Sequence, residues 1–318
     1  KNKGPGGKRV RSRRPVHFGT GEEILEQTDF VIEGPTPFAW TRTYRSGSEC
    51  EDWGLLGARW ATPFTARLYV CDDKGIVYHE DSGRALRLPM LTVGQAHDHN
   101  GEGFILRRDS DRHFTLTWRD GSTDTFEHSM AGVLPHGFDG VNAMLAPRSP
   151  LPVARFDLTR SVGRDGQGVK VEHLNNARPG QVFLRLRTDE GLVLEALRAM
   201  GPLDEAPRID RIEEVRPDGS RICHVSYRYE AEAITPNTSA DAAMALATSS
   251  QQAFAHLPRR YNLVAQTNLI GQSRTYAYRH HLLLAYTTYS GFEHGLHWIS
   301  LEALRARWEG STLDEAEL

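Results

Sequence analysis

The amino-acid sequence predicts an all-β protein, organised as a long curved antiparallel sheet of short strand-and-turn units. In FAWTRTYR the residues Phe38, Trp40, Arg42 and Tyr44 fall on one face of an alternating strand rich in aromatic and β-branched side chains. The turn signals DSGR, RDGS and PDGS recur between such strands, with the Gly and Asp that hairpins need. Strands this short and regularly spaced favour an antiparallel sheet over βαβ units.

Composition agrees with a turn-rich β-protein. The 318 residues include 29 Gly and 16 Pro, and 39% are hydrophobic, which suffices for a sizeable core. Residues 1–14 hold seven basic side chains and no acidic one, which leaves the rest of the chain acidic. Such a tail could bind nucleic acid or a membrane surface. Because it has no aromatic residue to stack on bases, we favour a solvated linker and expect no nucleic-acid partner.

Five segments follow from the pattern. Residues 1–14 form the basic linker, and residues 15–128 begin with the turn PVHFGTGEE and continue as successive hairpins. Residues 129–230 start with a Gly/Pro-containing connection and return to strands. Residues 231–258 are rich in Ala and Ser, which predicts a minor, partly helical insertion. Residues 259–318 return to the strand pattern as degenerate repeats.

The repeats share a turn followed by aromatic residues two positions apart. PDGSRICHVSYRY places Tyr227 and Tyr229 after its turn, NLIGQSRTYAY places Tyr276 and Tyr278, and SGFEHGLHW ends on Trp298. Repetition of this kind implies that each unit buries its face on its neighbour. The predicted repeat core therefore combines these five residues with three aromatics from the N-terminal segment: Trp40, Tyr44 and Trp60. We expect Trp53 and Trp118 to be buried with them, although a binding platform of exposed aromatics is the alternative.

Candidate metal and disulfide sites are weak. His97, Asp98 and His99 could ligate zinc, but the sequence offers no third His or Cys at a metal-site spacing. Three cysteines without a close-spaced pair do not suggest a disulfide framework. No apolar run approaches the roughly 18–20 residues of a membrane span. We therefore expect no metal, no cofactor and no membrane-spanning segment.

Candidate acid–base residues are equally weak. Glu22 and Glu23 could act as a pair, but adjacent glutamates are more often at the surface, which we expect here. His280 and His281 fit a turn better than a catalytic site. Nucleophile elbows, zinc-protease helices and phosphate loops are absent from the sequence. The sequence predicts no catalytic residue and no enzyme activity for this chain.

Several blocks occur in an order that resembles a known family. The block PVxxxTG, made of Pro15, Val16, Thr20 and Gly21, is followed by TDF, by WTRTYRSG and by WGLLGARWATPF. This order is similar to the opening of the shell in Rhs/YD-repeat proteins, which are large bacterial polymorphic toxins. The resemblance is close from residue 15 to 64 and looser to Trp298. Asn268 stands where the repeats of that family commonly have Asp, so the repeats here are degenerate.

The resemblance implies a structural role. The chain would be the first part of a hollow β-shell that encloses a C-terminal toxic domain until delivery by type VI secretion. The PVxxxTG block implies a cut between Arg14 and Pro15. Implied partners are the rest of the same polypeptide and a secretion-tip protein or adaptor chaperone. The chain would reside in the cytoplasm of the producing cell before secretion into a target cell.

Two other classes of function stay open at this point. YD repeats also occur in surface proteins, so a β-rich adhesion or glycan-binding protein is the main alternative. A β-sandwich hydrolase is the third, and it lacks a clear acid–base pair. The chain begins at Lys1 and ends on DEAEL, and we expect it to be a fragment of a longer protein.

Overall fold

A computed structural model describes residues 16–17, 22–47, 55–71, 75–129, 152–174, 177–201, 207–233, 259–279 and 281–296. Within these ranges the regular structure is β-strand, apart from a single 3₁₀ turn at Pro63–Thr65. The predicted fold class, an all-β antiparallel protein, is confirmed. The described residues contain no helix long and apolar enough to cross a membrane. Of the insertion predicted at residues 231–258, residues 231–233 continue a β-strand, and residues 234–258 lie outside the described ranges.

The first four strands form a sheet of their own, which we call the N-terminal sheet. Its order is β1-β2-β3-β4, and all its pairings are antiparallel. The strands are β1 (Val16–His17), β2 (Glu22–Ile32), β3 (Phe38–Arg45) and β4 (Trp60–Ala61). The sequence predicted one extended sheet, and the separate N-terminal sheet corrects that expectation. Period-2 patterns specify strands, but they carry no information on which strands share a sheet.

The remaining strands form a second sheet, which we call the long sheet. In it, most strands pair with the next strand along the chain. Its first seven strands are β5 (Arg67–Cys71), β6 (Gly75–His79), β7 (Ala85–Leu88), β8 (Ala96–His99), β9 (Phe104–Ser110), β10 (His113–Trp118) and β11 (Thr123–His128). Next come β12 (Pro152–Val162), β13 (Gly168–His173), β14 (Val182–Thr188), β15 (Val193–Arg198) and β16 (Ile209–Val215). The last are β17 (Arg221–Ala233), β18 (Arg259–Asn268), β19 (Ser273–Arg279), β20 (Leu282–Thr287) and β21 (Glu293–Gly295).

Strand β12 is a branch point of the long sheet. It is paired along one edge with β11, while its other edge pairs first with β5, from residue 152 to 157, and then with β13, from residue 160 to 162. The pairings given by the described residues leave the sheet open, because none joins β21 to β5.

The hairpin turns follow the chemistry predicted for them. Between β16 and β17, the Ser220 amide donates to the Asp218 side chain at 2.8 Å, and Gly219 has φ +84°. A side chain at Gly219 would be strained in that left-handed conformation, although it would meet open space.

A continuous hydrophobic core lies between the N-terminal sheet and one face of the long sheet. Trp40 and Tyr44 have no exposed surface, and Trp60 is 2% exposed. Phe64 stacks on Trp40, with ring centroids 5.5 Å apart, and Phe38 stacks on Phe64 in turn. The N-terminal sheet is therefore part of the core of the molecule and not a peripheral attachment.

Candidate functional site: the junction between the two sheets

The most distinctive site is a buried polar cluster where the N-terminal sheet meets the late strands of the long sheet. We call it the junction cluster; its members come from β2, β3, β17 and β19 and are Gln27, Asp29, Arg42, Tyr227 and Tyr276. Charged side chains are rarely buried unless they are paired. Arg42 and Asp29 both have fully buried side chains and pair at 2.8 Å, from Nε to Oδ2.

Local backbone geometry places Asp29. In the β2–β3 ladder Thr28 lies opposite Thr41, and Phe30 lies opposite Trp40, so Asp29 has no residue directly opposite. This is a β-bulge, a device that redirects one side chain while the pairing continues on either side. Arg42 lies on the aromatic face that the sequence predicted for β3. The bulge thus turns Asp29 toward the strand face that carries Arg42, whose side chain is fully buried.

Two tyrosines of the repeats complete the cluster. The Tyr227 hydroxyl donates to Asp29 Oδ2 at 2.6 Å and accepts a hydrogen bond from Trp40 Nε1 at 2.9 Å. Arg42 Nη2 donates to the Tyr276 hydroxyl at 2.5 Å and to Gln27 Oε1 at 2.8 Å. The Tyr276 hydroxyl donates in turn to Gln27 Oε1 at 2.5 Å. The hydrogen bonds to Tyr227 and Tyr276 connect the N-terminal sheet to the long sheet.

Aromatic rings enclose the Arg42 guanidinium. Its central carbon lies 4.3 Å from the ring centroid of Trp60 and 5.1 Å from that of Tyr276. Cation–π contacts of this kind strengthen when water is excluded. Trp60 also donates from Nε1 to the Tyr278 hydroxyl at 2.9 Å.

The electrostatics keep Arg42 charged and the tyrosines neutral. Burial by itself lowers the pKa of Arg42, but the charge of Asp29, the two neighbouring tyrosines and the hydrogen bond to Asp29 together raise the pKa overall. Burial, and then the nearby Asp29 charge, raises the pKa of Tyr227 well above its ordinary value. Burial raises the pKa of Tyr276 as well. Neutral phenols donate hydrogen bonds and are poor nucleophiles, so the cluster is suited to holding two sheets together and not to catalysis.

Backbone contacts continue the junction beyond the cluster. The segment before β4 bonds to two strands of the long sheet: Ala58 N donates to Tyr261 O at 2.8 Å, and Ile209 N donates to Leu55 O at 2.8 Å. Gly57 makes this approach possible, since a Cβ there would lie 2.5 Å from the Tyr261 carbonyl oxygen. The amide of Leu283 donates to the Tyr44 hydroxyl at 2.9 Å.

The structure brings together most of the predicted repeat core. Trp40, Tyr44 and Trp60 from the N-terminal sheet meet Tyr227, Tyr276 and Tyr278 from the repeats. Tyr229 is half-buried, and its hydroxyl donates to Ile209 O at 2.7 Å. Trp118 is half-buried as well and donates to Asp124 at 3.0 Å. Trp53 and Trp298 lie outside the described residues.

The predicted processing motif is described only in part. Val16 lies in β1 opposite Glu23, while Arg14, Pro15, Thr20 and Gly21 lie outside the described residues. The expectation that Glu22 and Glu23 are surface residues is wrong for Glu23, which is 2% exposed. Glu23 lies on a central strand, bonded on one side to β1 and on the other to Ser46, whose hydroxyl accepts from the Glu23 amide at 3.0 Å. Glu22 is partly buried and pairs with Arg45 at 2.5 Å.

The histidine candidates have structural surroundings. His97 and His99 lie on β8 with rings 5.9 Å apart, and His99 also stacks on Phe104 at 5.3 Å. In the described part of the chain no group of three or more His, Cys, Asp or Glu residues is arranged to hold a metal ion. His281 occupies a turn with φ +60°, and its Nδ1 lies 2.8 Å from Asn262 Oδ1. His280 lies outside the described residues.

Sequence reasoning missed the partners of Arg42. The alternation of β3 did place Arg42 among aromatic residues, and a buried guanidinium requires a buried counter-ion. That requirement was the available signal for Asp29. A single sequence does not reveal the bulge that redirects Asp29. Nor does it reveal the cross-strand position of Gln266, which is described below.

Comparison with known proteins gives one family match and several relatives. Residues 13–88 match a family described as a domain of unknown function, DUF6531. Over 105 residues, 32% of this chain, the sequence is 35% identical to double-stranded DNA deaminase toxin A of Burkholderia cenocepacia (strain H111). The chain covers 7% of that toxin's length.

Solved structures give weaker likenesses. The Photorhabdus luminescens Tc holotoxin pore with a TccC3-D651A mutation matches with a TM-score of 0.42 and 11% identity, over 81% of this chain and 16% of that one. The TcdB2–TccC3 crystal structure matches with a TM-score of 0.37 and 10% identity, over 88% and 17%. Within this set the sequence similarity to a bacterial toxin is the stronger finding, and it covers a small part of that toxin.

Proposed function

We propose that this chain is the N-terminal part of an Rhs-type encapsulating shell, whose work is to enclose a C-terminal toxic domain until delivery into a target cell. The observation that carries the proposal is the junction. Three tyrosines of the repeats, Tyr227, Tyr276 and Tyr278, turn inward and hydrogen-bond to residues of the N-terminal sheet. Aromatic residues used in this way have a structural role in the shell and are not available to bind a ligand. Type VI secretion remains the proposed route.

The sequence similarity to a deaminase toxin supports a toxin context. In this proposal the toxic activity belongs to a later part of the polypeptide, and the chain described here is not an enzyme. Its partners would be that later part and a secretion-tip protein or adaptor chaperone. The order of the blocks from residue 15 to 64 supports the Rhs assignment over adhesion.

Protease protection in the full-length protein tests the proposal. The C-terminal domain should resist an added protease in the intact protein and be digested rapidly when expressed alone. Asp29→Asn, which breaks the junction cluster, should expose the domain, whereas Glu26→Gln on the exposed face of β2 should leave it protected. Equal digestion of the domain in the intact and isolated forms would refute enclosure. Specific binding of the full-length protein to cell-surface glycans would favour adhesion instead.

A further inference from the structure

Four fully buried polar atoms at the junction have no hydrogen-bond partner among the described residues. They are Asp29 Oδ1, Arg42 Nη1, Gln266 Nε2 and Arg274 Nη1. Buried polar atoms are satisfied in the great majority of cases, by protein or by ordered water. Arg42 and Gln266 have no exposed surface at all. Four such atoms around one cluster therefore require an explanation.

Strand register and the ion pairs of Asp29 bring the four side chains together. Gln266 on β18 lies opposite Tyr227 on β17 and opposite Arg274 on β19. Both of these neighbours reach Asp29: the Tyr227 hydroxyl bonds to its Oδ2 at 2.6 Å, and Arg274 Nη1 lies 3.7 Å from its Oδ1. Gln266 thus lies between the two side chains that converge on Asp29.

Two contacts hold these side chains in place. The Tyr289 hydroxyl donates to Gln266 Oε1 at 2.8 Å, which leaves the amide nitrogen as the unpaired end of Gln266. The Arg274 guanidinium lies over the Tyr289 ring, 4.0 Å from its centroid. Tyr289 therefore contacts both Gln266 and Arg274.

Arg274 and Asp29 attract each other without a direct hydrogen bond. The 3.7 Å between Arg274 Nη1 and Asp29 Oδ1 is an ion-pair distance and exceeds that of a hydrogen bond. A water beside this pair, within hydrogen-bond distance of both atoms, would satisfy them. The four atoms comprise three N–H donors and one carboxylate oxygen. A small anion could accept from the donors but could not donate to Asp29 Oδ1, whereas a water molecule does both.

We propose that an ordered internal water bridges Arg274 Nη1 and Asp29 Oδ1 and accepts a further hydrogen bond from Gln266 Nε2. The water extends the junction cluster from β17 to β18 and β19. It also makes Arg274 a second cationic partner of Asp29. The inference concerns the folded chain and is independent of the proposed function.

A crystal structure of the chain at a resolution that shows ordered water tests the proposal. We expect a peak within hydrogen-bond distance of Asp29 Oδ1, Arg274 Nη1 and Gln266 Nε2. A direct Arg274–Asp29 hydrogen bond with no peak would overturn it. Crystals grown in bromide should show no anomalous signal there, since such a signal would identify an anion.

Gln266→Met provides a second test, with Gln272→Met on the exposed β18–β19 turn as the matched control. Gln266→Met should abolish or displace the peak while the Tyr227–Asp29–Arg42 hydrogen bonds remain. Gln272→Met should leave the peak in place. An unchanged peak in Gln266→Met, still bonded only to Asp29, Arg274 and Arg42, would limit the site to those three residues and refute the role of Gln266. If Gln266→Met does not fold, the wild-type and bromide maps still decide whether the water is present.

Discussion

Asp29 and Arg42 are charged residues held inside an aromatic core, with no exposed side-chain surface. A buried ion pair is a weak source of stability by itself, because both charges lose their hydration. Removing one partner is different, since the remaining charge is then buried without compensation. The junction cluster should therefore respond strongly to single substitutions.

Asp29→Asn should lower the free energy of unfolding by about 3–5 kcal/mol, because Arg42 loses its counter-ion inside the core. Glu26→Gln is the control on the same strand, where the side chain is exposed, and should change stability by less than about 0.5 kcal/mol. Urea unfolding followed by tryptophan fluorescence measures both. Coincident unfolding curves for the two variants would contradict a central role for the pair.

Trp60→Ala should be similarly severe. The indole is 2% exposed, contacts Arg42 and donates to Tyr278. Truncating a buried tryptophan costs about 3–5 kcal/mol. Phe292→Ala, at a position 72% exposed, is the control and should be nearly neutral. The core assignment fails if Trp60→Ala unfolds at the wild-type midpoint.

Glu23 should make stability depend on pH. Burial raises the pKa of its carboxyl group from 4.5 to about 7. The folded protein therefore holds the proton more tightly than the unfolded chain does. The resulting stabilisation is fully present below pH 4.5 and is lost as the pH rises through about 7.

Glu23→Gln carries no ionisable group and should remove this part of the pH dependence. Unfolding free energies measured at intervals from pH 4.5 to pH 7.5 should fall more steeply in wild type than in the variant. Glu26→Gln should keep the wild-type slope. Parallel profiles for wild type and Glu23→Gln would show that Glu23 ionises normally in the folded protein.

Among the elements, the segment from residue 55 to 58 contacts the long sheet through its backbone. Its backbone bonds directly to residues 209 and 261. Gly57 has φ +83°, and a Cβ there would lie 2.5 Å from a backbone oxygen that cannot move aside easily. The approach thus depends on glycine for two separate reasons.

Gly57→Ala and Gly219→Ala separate those reasons. Gly219 has a similar φ, +84°, but faces open space, so alanine there meets only the left-handed strain of about 1–2 kcal/mol. Gly57→Ala adds a backbone clash and should be clearly more destabilising than Gly219→Ala. Thermal unfolding of the two variants makes the comparison. Equal losses of stability would mean that the segment can shift to relieve the clash.

Sequence patterns predict the strands of this molecule better than their arrangement. The alternation from Phe38 to Tyr44 and the turn PDGS are local signals, and the structure has the strand and the turn where they occur. The separation of the N-terminal sheet depends on contacts between distant residues, which no period reveals. Burial of Glu23 escaped prediction for the same reason, since it depends on strands that pair on both of its sides.

At the scale of the whole molecule, the basic segment precedes an otherwise acidic chain. We propose that full-length protein is cleaved between Arg14 and Pro15 and that the basic segment stays bound without a covalent link. N-terminal sequencing of wild-type protein and of Pro15→Ala should find a cut in wild type alone. Retention of the segment should weaken as salt rises, because salt screens charge attraction. An intact Arg14–Pro15 bond in fresh and aged wild-type protein would refute the proposal.

The junction also has a consequence for the order of synthesis. Tyr227, the hydrogen-bond partner of Asp29, is synthesised 198 residues after it. Leu283, whose amide bonds to the Tyr44 hydroxyl, is synthesised 239 residues after Tyr44. At roughly 5–20 residues per second, a ribosome needs roughly 10–50 seconds to cover that distance. The N-terminal sheet is synthesised first, but its core can be completed only after the late strands of the long sheet have been made. Contacts between residues so far apart in sequence also slow folding. The aromatic face of the N-terminal sheet is exposed to solvent for that interval, so chaperones that bind hydrophobic surface should bind this face on the nascent chain.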